Sequence, residues 1–106
     1  MKKSFSLFIV LSAFCTAAVG NAAAGISIER GKQLFENTKL GTTGKSCATC
    51  HPGGKKLEWA GTYDDDKLTE IANRCIQKAL QGKPLKPDSE EMQSLILYLK
   101  SFAGPN

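Results

Sequence analysis

Two long stretches of this chain place apolar residues every three or four positions. Leu68, Ile71, Ala72, Cys75, Ile76, Ala79 and Leu80 form one continuous stripe, which predicts a helix from about Asp65 to Gln81. Asp64, Asp65 and Asp66 suit its positive N-terminus, and Gly82 suits its stop. Met92, Leu95, Ile96, Leu99 and Phe102 mark another helix, beginning after Pro87 and ending before Gly104-Pro105. Asp88 with Glu91 fits a capping box at its start. A shorter helix is predicted from about Ser27 to Asn37, with Ser27 as cap and Ile28, Leu34 and Phe35 as apolar points. Gly31 leaves it one place for close approach by a neighbour. No stretch alternates apolar and polar residues as a strand would. The expectation is an all-α fold of about three helices, with Gly41 and Gly44 breaking the pattern after the first and a stiff Gly82–Pro87 loop before the last.

The start of the chain follows a different rule. Lys2 and Lys3 precede a mostly apolar run from Phe5 to Val19, and Gly20-Asn21-Ala22-Ala23-Ala24-Gly25 follows with small residues. This order predicts a secretory signal peptide cut after Ala22 or Ala24. The run is shorter than the ~20 residues a spanning helix needs. Phe14 before Cys15 argues against a lipoprotein site. The expected organisation is a signal peptide over 1–24 and one domain over 25–106, exported to the periplasm, with no membrane span after processing. A domain of that size buries a modest core and often needs a staple. Two of the 14 basic residues lie in the leader, which leaves 12 against 10 acidic ones. That near balance points away from nucleic acid and acidic membrane as partners.

Between the first two helices lies Cys47-Ala48-Thr49-Cys50-His51, a C-x-x-C-H run. The spacing is that of covalent haem c attachment. Two thiols three residues apart reach the two vinyl groups of one haem, and the adjacent imidazole reaches the iron from the same side. Cys47 and Cys50 are therefore the expected covalent anchors and His51 the proximal iron ligand. Other chemistries for these residues are weaker. Zinc bound by Cys47, Cys50, His51 and Cys75 would require adjacent Cys50 and His51 to share one tetrahedral ion. A thioredoxin-like C-x-x-C lacks a surrounding βαβ pattern. Gly44-Lys45-Ser46 ends like a phosphate-binding loop, but Lys39 stands where the first glycine should be.

With these residues in place the chain resembles the class I c-type cytochromes. The resemblance rests on Gly31-Lys32-Gln33-Leu34-Phe35, on Cys47 to His51, and on Leu95 with Tyr98-Leu99. It implies a small cytochrome c fold, about three helices packed around one covalently bound haem. It also implies that the first and last helices cross through a glycine and aromatic contact, roles that Gly31, Phe35 and Tyr98 fit. The stretch from Asn73-Arg74-Cys75 through Gly82-Lys83-Pro84-Leu85 to Glu91-Met92 is similar to small single-haem periplasmic cytochromes of metal-reducing bacteria and to sulfur-oxidation cytochromes. The implied function is one-electron transfer between periplasmic redox partner proteins, by a monomer. No nucleophile, base or substrate pocket is visible, so no enzymatic activity is expected. The alternatives are a gas- or ligand-binding haem protein with an open distal site, and a cytochrome subunit of a sulfur-oxidising complex.

One departure concerns the second iron ligand. Most class I cytochromes supply a Met from the loop before the last helix, and that loop here has none. Met92 is the single Met outside position 1, and His51 is the single His. Core packing accounts for Met92 on its apolar stripe, but scarcity makes it the favoured second ligand. Asn73, beside the central stripe, and Cys75, on it, are the rivals, with an open iron site as the remaining case. Free Cys is commonly a small buried hydrophobe, and on that ground Cys75 is expected to be buried. Trp59 and Tyr63 follow the motif, either as ordinary packing or as hydrogen-bond donors to a haem propionate. Lys45, Lys55, Lys56 and Lys86 are solvated side chains or a docking rim near the haem edge.

Overall fold

A computed structural model describes residues 25–103, and the expected signal peptide over 1–24 lies outside them. Among the described residues there are helices and no strand, in the order α1 (Ile28–Phe35), α2 (Cys47–Cys50), α3 (Asp65–Lys78) and α4 (Glu90–Lys100). Two 3-10 turns, Pro52–Gly54 and Glu58–Thr62, link α2 to α3. The three expected helices are present as α1, α3 and α4, and the attachment motif itself forms the additional single turn α2. No helix among the described residues is long and apolar enough to cross a membrane.

Each long helix starts on a side-chain cap. Ser27 Oγ accepts from the Arg30 N–H at 3.0 Å, and Asp64 Oδ1 accepts from the Lys67 N–H at 2.8 Å. The cap of α4 is Ser89, whose Oγ accepts from the Met92 N–H at 3.1 Å. The expected Asp88–Glu91 box does not form. Ser89 sits one residue nearer the helix, and its own N–H bonds the Lys86 carbonyl at 3.0 Å, which closes the turn before α4. At the other end of α3 the helix stops at Lys78, short of the expected Gln81. Gln81 takes the left-handed backbone (φ 55°), a conformation usually left to glycine. Gly82 is needed for a different reason: a Cβ there would strike the Leu40 carbonyl.

The largest helix contact is between α1 and α4. Gly31 lies against the Ser94 carbonyl and the Tyr98 Cβ, with no room for a side chain. One turn on, Phe35 is 1 % exposed and packs edge-on to Tyr98 (5.3 Å between centroids) and Phe102 (5.5 Å). Tyr98 and Phe102 pack on each other at 4.7 Å. Around this crossing sits one core of Phe35, Leu57, Ala60, Leu68, Ala72, Met92, Leu95, Ile96 and Leu99. Ser94 is buried beside it, and its hydroxyl accepts from the Ser27 N–H at 3.0 Å; among the described residues no buried side-chain nitrogen or oxygen lacks a partner. Arg30 bonds both Glu90 (3.0 Å) and Glu91 (3.3 Å), tying the starts of α1 and α4 together at the surface.

The loop after α1 returns to the end of α3. The Thr42 N–H donates to the Leu80 carbonyl at 2.8 Å, and Gly41 packs on that same carbonyl too closely to carry a Cβ. This hold brings the chain across α3 just before the attachment motif begins.

Candidate functional site

The motif is built by a small local device. The Thr49 hydroxyl accepts from the Ser46 N–H at 2.9 Å, and the Thr49 N–H donates to the Ser46 carbonyl at 3.0 Å. These bonds close α2 as a single turn. Cys47 and Cys50 are then three apart on one turn, where side chains share a face. Thr49 is thus more than a spacer, a role that the C-x-x-C-H pattern does not signal.

His51 follows as the C-cap of α2, and its Nδ1 lies 3.0 Å from the Lys55 carbonyl. A carbonyl can only accept, so Nδ1 carries a proton, and in the neutral imidazole Nε2 is then the nitrogen with the lone pair. That is how a ligating histidine is commonly oriented and made more basic. The backbone needed to present this carbonyl is unusual. Gly53 (φ 63°), Gly54 (φ 81°) and Lys56 (φ 71°) are all left-handed within four residues. Gly54 is doubly required, because a Cβ there would enter the ring of Phe102. The Pro52–Gly54 turn that follows α2 therefore packs on Phe102, a member of the aromatic group at the α1–α4 crossing.

Cys47, Cys50 and His51 line one cavity of about 310 Å³. Its other walls are Leu68, Ile71, Ala72, Cys75, Ala79 and Leu80 from α3 and the residues just after it, Leu95 and Leu99 from α4, and Phe35, Leu57, Trp59 and Ala60. Lys45 and Ser46 stand at the same site, and Lys45 is its one cationic lining residue. Burial pushes the Cys47 thiol up to about 11 from 9.0, with the nearby Cys75 adding to the effect. At neutral pH Cys47 is a neutral thiol in an apolar wall.

The α3 stripe divides at this cavity. Leu68, Ala72 and Ile76 are buried, whereas Cys75 and Ala79 are exposed and Ile71 is half-buried. The expected burial of Cys75 differs from what is found: its apolar stripe faces the cavity, so Cys75 lies on an open wall. Cys47, Cys50 and Cys75 are all free thiols.

The remaining candidates separate clearly. Met92 is 0 % exposed, belongs to the core, and is not among the residues lining the cavity. Asn73 does not line it either, and both ends of its amide are bonded to the Leu85 backbone, at 2.8 Å each. Trp59 lines the cavity and is 40 % exposed. Tyr63, also 40 % exposed, does not line it but packs edge-on to Trp59 at 5.2 Å. Among the described residues no three His, Cys, Asp or Glu side chains gather in a group able to hold a metal ion, which includes the four considered for zinc. No protein-family model matches this chain, and no curated protein or solved structure matches it.

The residues fit a haem on three counts. Both thiols and one imidazole line the same cavity. Most of its other lining residues are apolar. One cation, Lys45, lines it too, where a carboxylate could pair with it.

Proposed function

We propose that this chain is an exported, monomeric electron carrier that holds one covalent haem c and passes single electrons between periplasmic redox partner proteins. The observation that carries the proposal is one cavity shared by α2 and the open part of the α3 stripe. Two thiols and an imidazole line it together with Cys75 and Ala79, which protein leaves exposed. Bound there, haem would supply the one-electron iron couple.

The chain's own residues do the rest. Cys47 and Cys50 would each add a thiol S–H across a vinyl group, exchanging the S–H and the C=C π bond for a C–S and a C–H bond with no net redox change. His51 Nε2 would hold the iron while the Lys55 carbonyl accepts from Nδ1–H and so fixes the ring. Ile71, Ala72, Cys75, Ala79 and Leu80 exclude water from the buried face, which limits the reorganisation that accompanies a change of charge. Lys45 would pair with one propionate and the Trp59 indole N–H would donate to the other, with Tyr63 packed on the indole ring. Met92 is the distal ligand in this scheme. Its side chain must turn from the core toward the cavity, and an unbranched thioether with three rotatable bonds is well suited to that. A Met/His pair would raise the reduction potential.

The test is direct. The full chain is expressed in a bacterium that exports and matures c-type haem proteins, and the product is examined by mass spectrometry. The expected mass is that of the chain without its first 22 or 24 residues, plus one haem. A product without haem, or with covalent haem absent after acid-acetone extraction, overturns the proposal.

A second reading is favoured by one observation, the position of Met92 away from the cavity lining. If Met92 stays in the core, the distal site is open and the chain is a gas- or ligand-binding haem protein. Carbon monoxide added to the reduced protein separates the two. Slow or weak combination supports Met92 ligation and electron transfer, and fast combination supports the open site.

A further inference from the structure

The segment Gly82–Asp88 crosses from the end of α3 to the start of α4 with two prolines and few bonds of its own. Among the described residues, one side chain holds the middle of this strap to α3. Asn73 Nδ2 donates to the Leu85 carbonyl at 2.8 Å, and the Leu85 N–H donates to Asn73 Oδ1 at 2.8 Å. The pair copies the two-bond bridge that two strands would make. Only a carboxamide of this reach both donates and accepts so as to close it. The bonds are partly buried, so an unmatched partner would be costly there.

Both ends of this bridge lead to the site. Along α3, Asn73 is next to Ala72 and two residues from Cys75, and both of these line the cavity. Along the strap, Leu85 packs on the core that contains Met92. The Lys86 carbonyl accepts from the Ser89 N–H (3.0 Å) and the Ser89 Oγ–H (2.7 Å), and Ser89 Oγ accepts from the Met92 N–H (3.1 Å). Gln93 Nε2 also reaches back to the Asp88 carbonyl at 3.0 Å. Hydrogen bonds and two peptide links thus run unbroken from the cavity wall on α3 to the amide of Met92.

We infer that Asn73 is a positioning residue, which sets the register of the Leu85–Ser89 strap against α3 and through it the place of Met92 relative to the cavity. This rests on the proposed haem c site. Both amide ends are already engaged, so Asn73 itself does not serve as an iron ligand. Its effect is to keep the first turn of α4 from sliding along α3, which holds the distal side closed.

The experiment uses the haem-loaded protein and two variants. Asn73→Ala removes both bonds, whereas Asn73→Asp keeps an acceptor for the Leu85 N–H and sets a carboxylate against the Leu85 carbonyl. Carbon monoxide should combine with reduced Asn73→Ala about tenfold faster than with the parent, with Asn73→Asp between them. The sulfur-to-iron charge-transfer band of the oxidised protein should weaken in the same order. Rates within about twofold of the parent and an unchanged band in a folded Asn73→Ala protein overturn the inference. Should Asn73→Ala give no loaded protein, Asn73→Asp is judged by the same criteria. The parent supplies a test that needs no variant. In hydrogen exchange the Leu85 and Met92 amides should be protected and should open together, and an unprotected Leu85 amide overturns the inference. Failure of the underlying proposal looks different. A parent without covalent haem defeats the haem site. A parent with haem but no sulfur-to-iron band defeats Met92 ligation, and the paired exchange of Leu85 and Met92 still decides the role of Asn73.

Discussion

The α1–α4 crossing and the inner wall of α3 are both apolar, yet they end in opposite states. At the crossing the central apolar groups pack on one another: Gly31 lies on the Ser94 carbonyl, and Phe35, Tyr98 and Phe102 pack edge-on as a triad. On α3 the stripe continues past its protein partners, and Cys75 and Ala79 face the cavity uncovered. The first region is complete as polypeptide. The second is open to the cavity, and under the proposed function a haem would cover it. A domain of this size buries only a modest core, and Cys47 and Cys50 line the same cavity.

The comparison breaks most sharply at the thiols. Changing both Cys47 and Cys50 to Ala should abolish covalent haem and leave the chain mostly unfolded. Acid-acetone extraction and far-UV circular dichroism check this, and retention of haem through extraction would count against the α3 wall being a haem seat.

The crossing should be costly to disturb whether or not the cavity is filled. Phe35→Ala is expected to destabilise by about 3–5 kcal/mol through the cavity it leaves. Gly31→Ala drives a Cβ into the Ser94 carbonyl and should cost about 1–3 kcal/mol as the helices separate. Urea unfolding of the loaded protein measures both. A neutral Gly31→Ala would mean the helices slide freely, contrary to the closed packing described for them.

Met92 sits between the two regions and so distinguishes them. As core alone, Met92→Ala should cost about 2–5 kcal/mol of stability and leave the spectrum and reduction potential unchanged. As iron ligand it should also lower the potential and speed carbon monoxide binding. Met92→His should lower the potential while keeping the distal site closed.

A smaller effect is expected at Cys75. In the loaded protein its thiol should react with an alkylating reagent about tenfold more slowly than in the urea-unfolded chain, because the cavity occupant covers it. Equal rates would show that the α3 wall stays open. The smallest effect belongs to Arg30→Ala, which removes two partly exposed ion pairs and should cost about 1 kcal/mol or less by thermal unfolding.

Much of this arrangement is legible in the chain, and the exceptions have physical causes. The cap at Ser27 follows from a short acceptor side chain placed just before an apolar period and forms as expected, whereas Asp64, expected only to suit the positive N-terminus of α3, also caps it. Asp88 is misleading because Ser89, one residue later, can cap the helix and close the preceding turn at once. Burial of Cys75 is misread because periodicity reports which side of a helix is apolar, not whether protein covers it. The carbonyl of Lys55, held by left-handed Gly53, Gly54 and Lys56, has no side-chain signal; the paired glycines after Pro52 hint only at a tight turn.

The three helices, the starts of α1 and α3, the spacing of two thiols and a histidine, and the glycine at the crossing are legible in the chain alone. All of these depend on residues close together in the chain, where period and cap chemistry act directly. The packing of distant segments sets the rest: Cys75 and Ala79 of the α3 stripe are left uncovered, Met92 stays out of the cavity lining, and Asn73 spends its amide on Leu85. Those outcomes depend on which surfaces compete for the same neighbours, and no local pattern records that competition.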